Sequence, residues 1–587
     1  MTETALAATQ LVTFAFQTFK VCVDAYQFWH DAQRIGIDGD LLRTRLQYER
    51  GRLESWGERA GLTTSDTNLR LNWALIHEIL QQQAVLFTSQ ERLSKKYGLK
   101  VSHDNAQHEP QAEETGHNLP ENGIERVFAA LRPELYTKTS RLIAAANGPI
   151  KRIQWAASGR DKVHRVISDL KSFNDDLERL LERDEREKIM LANRYLLQDL
   201  LSRSSSYSQV EQLKKWLSNE NLETAGSIAA MAEFKRVRLY MGADRRSDEV
   251  QPRPSNSLRE SMPKPDKLRP KNFQPSISRA NVQIGLYKGA SVMVEWRQRG
   301  ELDFVRLANN TLYLAALLLK APPSFAALAC RGYIADEVAQ HIGLCYEIPV
   351  VQIFELPAQP ELQVDVRNMA DLLEIRRQAP LDSRLRIAST LATAVLELHT
   401  AGWLHKGIRS ENIVFVARDR LPLETFLDSQ PYLIGYEYAR PDNPDAANAL
   451  TTVPNATLLS DLYRHPAKRG VLRTAFAKRH DLYALCCVLI ELALWKPLVA
   501  IFSEHGDRDW TSAVAEADRD SKTLELPCLH DLVSSSGFRQ AIMHSVGLKY
   551  LEAIDTCLKE IKESDEMVNA SLDLERRVAE SLRTCGS

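Results

Sequence analysis

The sequence predicts a multidomain protein, an all-α helical bundle followed by an α+β two-lobed domain. Three observations carry that prediction. Residues 1–242 place apolar side chains at three- and four-residue steps between short polar connections, residues 243–280 mix proline with Ser, Lys and Arg, and from 281 short β-like runs alternate with helical ones. A chain of 587 residues also exceeds what a single hydrophobic core organises.

Composition excludes more than it selects. A hydrophobic fraction of 44%, a charged fraction of 26% and a net charge of -2 describe an ordinary globular chain with no global attraction to nucleic acid. The eight cysteines show neither a disulfide framework nor metal-ligand spacing, which predicts a reducing compartment and no metal. The amino terminus lacks a basic flank and a long apolar run, so no secretory signal is expected. No stretch reaches about 18 consecutive apolar residues, so no constitutive membrane span is expected either.

In the first half, Ala8, Leu11, Ala15, Phe19, Cys22, Val23 and Tyr26 form one helical stripe, and Leu41, Leu42, Leu46, Leu53 and Trp56 form a second. A third runs from about Leu71 to Leu93. After a polar loop near 101–122, helical runs continue through "ERVFAALRPELY", "DKVHRVISDLKSFNDDLERLLE", "EREKIMLANRYLLQDLL" and "YSQVEQLKKWLS". Short polar connections between amphipathic helices predict an up-and-down bundle.

The stretches at 25–62, with Trp56-Gly57 read as a helix stop, and at 150–181, with its "QW" step, resemble the fungal HET-S/LopB, or HeLo, domain of prion inhibition and propagation. The resemblance covers roughly 1–225. It implies a helical bundle associated with heterokaryon incompatibility, whose amino-terminal segment leaves the bundle for a bilayer. Leu6, Leu11, Phe14, Phe16 and Phe19 are the membrane-targeting candidates. Residues 5–24 would span about 30 Å as a helix. Thr9, Gln10, Thr13, Gln17, Thr18 and Lys20 interrupt the apolar residues, and the alternative is a core helix. Phe14 and Phe16 lie off the main stripe, where a membrane-seeking helix would use them.

The second half reads as a strand, turn and strand in "NVQIGLYKGASVMVEWRQ", a helix and strand in 307–336, a strand in "HIGLCYEIPV", and a long helix at 382–402 leading into "LHKGIRSENI". This order resembles a protein-kinase-like domain over roughly 281–560, with a small lobe at about 281–360 and a large lobe at about 361–587. His405, Arg409 and Asn412 match the catalytic loop, Asp481 matches the structural aspartate of the anchoring helix, and "DLYRHP" at 461–466 resembles the end of an activation segment. The parts that perform phosphoryl transfer depart from the pattern. Glu295 stands at the lysine position, Gly407 at the catalytic aspartate, and Gly435 at the metal-binding aspartate, with Glu437 as its only nearby substitute. Gly285 and Gly289 are all that remains of a glycine-rich loop. His405 reads as a core brace and Cys486-Cys487 as core residues. The last residues, with Glu575, Arg576, Arg577, Glu580 and Arg583, read as a solvated, fraying helix.

The combination implies a pseudokinase that needs no cofactor, fused to a membrane-targeting bundle and architecturally similar to the mixed-lineage kinase domain-like proteins of animals. The expected function is a fungal incompatibility or regulated cell-death effector. Expected partners are other copies of the bundle, an intramolecular bundle–pseudokinase contact, membrane lipid on activation and an activating protein of unknown identity. The expected location is cytoplasmic at rest and the plasma membrane on activation. A non-lytic signalling scaffold is the alternative, and an unconventional ATP-dependent kinase stands below it.

Overall fold

The structure, a computed structural model, describes residues 3–31, 39–97 with short interruptions, 160–219, 225–243, 271–275, 282–298 except 288–289, 311–349 with interruptions, 364–442 with interruptions, 457–469, 476–559 except 521–523, and 572–585. The polar loop at 101–122, the run at 125–136, the "QW" step, most of the 243–280 linker, Gly289 and Glu437 lie outside them. The chain divides into two compact units, Met1–Ser204 and Ser205–Ser587.

The first unit is a helical bundle. Its described helices are α1 (Glu3–Asp31), α2 (Gly39–Arg59), α3 (Trp73–Thr88), α4 (Arg160–Arg179) and α5 (Arg183–Arg203). Helix α1 packs on α2 and α3, and α2 packs on α4 and α5. The stripes read from the sequence face this core: Ala15, Phe19, Cys22, Tyr26, Leu42, Leu46, Leu53 and Trp56 are all buried. The side chain of Trp56 donates to the Leu177 carbonyl at 2.9 Å. Gly57 does not stop α2, which continues to Arg59. A Cβ at Gly57 would stand 2.5 Å from the Phe19 ring, so glycine is what allows α1 to approach α2 this closely.

Polar residues tie four of these helices together inside the core. The Gln83 amide donates to the Tyr26 hydroxyl at 2.9 Å and to Asn174 Oδ1 at 3.1 Å, and Asn174 Nδ2 donates to Glu49 Oε2 at 2.9 Å. Arg52, 3% exposed in its side chain, bridges Glu49 at 3.1 Å, Asp175 at 2.6 Å and Glu178 at 2.9 Å. Burial pushes the Glu49 carboxyl up, and Arg52 and Asn174 hold it down only in part.

The second unit begins with α6 (Tyr207–Asn219) and α7 (Ala225–Ala243), which pack against each other. A five-stranded antiparallel sheet follows, from β1 (Lys271–Pro275), β2 (Val282–Tyr287), β3 (Ala290–Gln298), β4 (Cys330–Asp336) and β5 (His341–Glu347), in the order β1-β2-β3-β5-β4. Between β3 and β4, the described residues of 311–318 follow a helical path, with Leu314, Ala315, Leu317 and Leu318 buried. The strand β1 falls inside the stretch read as linker. Among the described residues it is an edge strand paired only to β2, a position where Pro275 costs little. Gly285 lies within β2, opposite Val292, and not in a loop.

The rest of the unit is mainly helical. It contains β6 (Val364–Asn368), α8 (Met369–Leu373), α9 (Leu381–Thr400), β7 (Trp403–Leu404), β8 (Ile413–Arg418), α10 (Leu423–Asp428), β9 (Tyr432–Leu433) and β10 (Arg440–Pro441). Then come α11 (Leu458–Leu462), α12 (Lys478–Leu494), α13 (Leu498–His505), α14 (Trp510–Asp520), α15 (Leu529–Ser534), α16 (Ser536–Val546), α17 (Leu548–Lys559) and α18 (Asp573–Arg583). Helix α12 is its core: every residue from His480 to Ala493 is buried, Cys486 and Cys487 among them. Burial raises both thiols well above their ordinary range, as expected of packing residues.

Two expectations change here. The helices at 207–243, read as part of the bundle, belong by compactness to the second unit. Phe234 of α7 sits 4.8 Å from the Phe325 ring and 6.5 Å from Trp403, whose indole N–H donates to the Phe234 carbonyl at 3.1 Å. Arg238 donates to the Asp442 carbonyl at 2.5 Å. Their apolar stripe signals a buried face but not which partner covers it. The terminal helix α18 is likewise no fraying tail, because Glu575 and Arg576 are buried together with Val578 and Leu582. It packs on α17 and α9.

Candidate functional site

The stretch "LHKGIRSENI" forms a loop between β7 and β8, and it is built around buried polar contacts. Asp481, near the start of α12 and fully buried, accepts the backbone N–H of His405 at 2.7 Å and of Lys406 at 2.8 Å. Lys406 takes a left-handed conformation, φ 66°, which turns the chain sharply before Gly407. His405 is the brace its sequence position suggests. Its Nδ1 accepts the Gly407 N–H at 3.1 Å and its ring packs edge-on against Tyr436 at 4.6 Å.

Glu295, Gly407 and Gly435 come together in space. Asn412, fully buried, donates to the Gly407 carbonyl at 2.5 Å, and its own carbonyl accepts the Ile434 N–H at 2.8 Å. Gly435 takes φ 93°, and a Cβ there would stand 2.3 Å from Asn412 Nδ2. Neither the conformation nor the space accommodates an aspartate as the loop stands. A Cβ at Gly407 would meet the Gly435 carbonyl at 3.0 Å. Glu295, fully buried on β3, turns toward the same place: its Oε2 accepts the Gly435 N–H at 3.2 Å and the Tyr346 hydroxyl at 3.2 Å. The site therefore presents a buried carboxylate beside two glycines and a buried asparagine amide. Among the described residues no group of side chains is arranged to hold a metal ion.

Sequence reasoning found His405, Asn412 and Asp481 but missed what holds Asp481. His399 places Nε2 3.3 Å from Asp481 Oδ2 and Nδ1 3.1 Å from Glu575 Oε1. Burial opposes its protonation, but hydrogen bonds to Asp481 and Glu575 and their charges outweigh it and push the imidazole up to about 9. Glu575 lies 176 residues away in sequence, so no local pattern links the two. Arg409 pairs with Glu411 at 3.1 Å. Ser410 meets the Tyr463 hydroxyl at 2.7 Å, which donates to Glu491 at 2.6 Å.

The membrane-targeting candidates divide. Phe14 and Phe19 are buried in the bundle core, and Phe14 packs near His77. Its position off the main stripe therefore does not leave it outward, because α1 is covered by α3 as well as α2. Leu11 and Phe16 are half-buried against the core, with the Lys20 ammonium 4.8 Å from the Phe16 ring centroid. The side chain of Leu6 lies outside the described residues. No single helix among the described residues is long and apolar enough to cross a membrane. Helices α12 and α13 would pass together by length and composition, bent by 73°, but α12 is the buried core helix of its unit.

Residues 7–215 match the HeLo family model, described as prion-inhibition and propagation. The chain carries an amino-terminal HeLo domain. The match runs past the boundary between the compact units and ends within α6. Over 141 residues the chain is also 28% identical to homeodomain-interacting protein kinase 2 of Mesocricetus auratus and of Mus musculus. That segment is 24% of this chain and 11% and 10% of those proteins, so the chain spans about a tenth of their length. The likeness and the order of a five-stranded antiparallel sheet followed by a mainly helical region are consistent with a kinase-like architecture after the HeLo domain.

Proposed function

We propose that this protein is a fungal incompatibility or cell-death effector whose HeLo bundle acts on membranes under the control of a kinase-like unit that transfers no phosphate. The HeLo match supports the first part. The observation that carries the second is the clustering of Glu295, Gly407, Asn412 and Gly435, in which the Asn412 amide occupies the space a metal-binding carboxylate at 435 would need. A fold that keeps its architecture while losing its transfer groups retains binding and conformational roles. In this reading the second unit restrains the bundle at rest, an activating protein releases it, and copies of the bundle associate at a plasma membrane. No cofactor is required.

The test is dye release from anionic liposomes. Three proteins are compared: the intact chain, the chain cut at a protease site introduced at Ser204–Ser206, and the cut chain with Phe16→Asp. Phe14 is unsuitable because its burial makes an aspartate there a folding defect. Release on cutting, diminished by Phe16→Asp, supports the effector. Intact vesicles in every arm favour a non-lytic scaffold, a reading the burial of Phe14, Phe19, Cys22 and Tyr26 along α1 also favours.

A further inference from the structure

Helices α6 and α7 are fastened to each other by charge as well as by packing. Lys214 meets Glu233 at 2.5 Å, and Arg236 meets Glu211 at 2.8 Å and Glu233 at 2.6 Å. The two helices therefore hold together as one hairpin.

Helix α7 meets the rest of its unit through another row of side chains. Ser227, Phe234 and Arg238 follow one another by seven and four residues, which places them along one face of the helix. The Ser227 hydroxyl lies 3.2 Å from the Ser324 hydroxyl and donates to Glu397 Oε2 at 3.3 Å. Ser324 donates to the same carboxylate, which is fully buried on α9. Phe234 lies against Phe325 and Trp403, and Arg238 reaches the Asp442 carbonyl. A Cβ at Gly402 would stand 2.5 Å from Arg238 Nη1, so the seat is shaped to this arginine.

Two features make this a seat that a helix can leave and re-enter. Its framework has support of its own: α9 packs on α12 and α18, and Trp403 lies in β7, which pairs with β10. Helix α7 also carries Lys235, 2% exposed, where the charges of Arg238 and Lys478 work against its ammonium, so the contact is weaker than apolar packing alone would make it. The seat residues Ser324, Phe325, Glu397, Gly402, Trp403 and Asp442 all follow the segment 244–270 that joins α7 to β1. A chain of that length reaches at most about 90 Å, far enough to carry α7 onto another molecule.

We infer that the α6–α7 hairpin exchanges between two copies of this chain, α7 of each seating against Ser324, Glu397 and Trp403 of the other. The contacts are the same within one copy and across two, so their strength does not choose between the forms. Concentration chooses. A connection of this length holds a chain's own hairpin at an effective concentration on the order of 1 mM. The closed monomer therefore prevails in dilute solution and the exchanged dimer where copies crowd together. The exchange is reciprocal, so it closes on two copies and does not propagate. The inference does not depend on any action of the bundle on membranes.

The experiment mixes two full-length chains with different tags, one carrying Ser227→Cys and the other Ser324→Cys, positions whose hydroxyls lie 3.2 Å apart. A disulfide joining the two tags records a hairpin seated on the other copy. The parent chain, whose own cysteines are mostly buried, is the blank. Both substitutions in one chain bridge within it and lock the monomer. Melting curves establish that each variant is folded. The fraction bridged between chains should rise roughly in proportion to concentration from about 10 to 300 µM, and Phe234→Ala in the Ser227→Cys chain should lower it about tenfold or more. Light scattering should find a dimer of the parent chain at the upper concentration and only monomer of the locked one, with reduction restoring the dimer. Absence of a bridge between chains while the double variant bridges within itself would leave the seat to each chain's own α7 and overturn the inference. A locked chain that still dimerised would place the association on another surface and overturn it as well.

Discussion

The carboxylate of Glu295 accepts the backbone N–H of Gly435 at 3.2 Å, joining the middle strand of the five-stranded sheet to the segment that follows β9. It also accepts the Tyr346 hydroxyl. Glu295→Ala leaves both donors buried without that acceptor and should cost about 1–3 kcal/mol. Glu295→Gln keeps an acceptor and should cost less. Thermal unfolding of the two variants beside the parent measures the difference. Magnesium and ATP should leave the parent's melting temperature unmoved, since a ligand that does not bind the native state cannot stabilise it. A concentration-dependent rise with ATP would contradict the reading of Glu295, Gly407 and Gly435.

A pH dependence follows from His399. Its folded-state pKa of about 9 lies above the ordinary 6.5, so the contribution it makes is complete below about 6.5 and is lost as pH rises through about 9. Glu575 is held below its usual range, since its hydrogen bond to His399 and the charges of His399 and Lys478 outweigh the opposing effect of burial. Its contribution is therefore present above the ordinary carboxylate range and lost as pH falls below it. Stability of the second unit should be greatest between these limits and decline toward pH 9. Glu575→Gln should flatten the alkaline decline and lower stability at pH 7 by a few kcal/mol, roughly the cost of breaking a buried ionic pair. Denaturant titrations at pH 6, 7.5 and 9 check both. An unchanged alkaline slope in the variant would show that Glu575 does not hold the imidazolium.

Much of this architecture was legible in the sequence because it rests on local periodicity. The stripes of α1 and α2 state which face is buried, and the long apolar runs of α9 and α12 mark helices buried over most of their surface. What they do not state is the partner. For that reason the stripes place the α6–α7 pair with the bundle, and the single stripe of α1 leaves open whether Phe14, which lies off it, is covered by a second neighbour. At the candidate site the residue types were legible at Glu295, Gly407, Asn412 and Gly435. Their convergence was not, because it depends on Gly435 adopting φ 93° and on Tyr346, on a different strand, reaching Glu295. The buried pair of His399 and Glu575 joins segments far apart in the chain, and charged residues in a terminal helix ordinarily face solvent.

Inside the bundle, Arg52 and Glu49 form a buried ionic pair at 3.1 Å, with Asp175 and Glu178 on the same guanidinium. Arg52→Met strands Glu49 among apolar neighbours and should destabilise the first unit by about 3–5 kcal/mol. Adding Glu49→Gln to that variant should recover about 1 kcal/mol or more of the loss, since the amide carries no charge to strand. A double-mutant cycle followed by the unfolding of the bundle measures the coupling. Strict additivity would mean that the network is solvated and not the closed hub its burial describes.

The last expectation concerns Phe234, which links α7 to the second unit through Phe325 and Trp403. It is 2% exposed, and its neighbour Lys235 is also buried, with burial and the charges of Arg238 and Lys478 bringing the ammonium down to about 7. Phe234→Ala removes the anchor and should cost about 3–5 kcal/mol. Lys235→Met removes a buried amine that is costly to charge and should raise stability, with the larger gain toward pH 7 than toward pH 10, because the unfolded lysine is still protonated across that window while the folded one has lost its proton. Hydrogen exchange should therefore show faster opening of 225–243 in Phe234→Ala and slower opening in Lys235→Met. If both variants left that segment unchanged, α7 would not be held to the second unit by these contacts, and its assignment to that unit would fail with them.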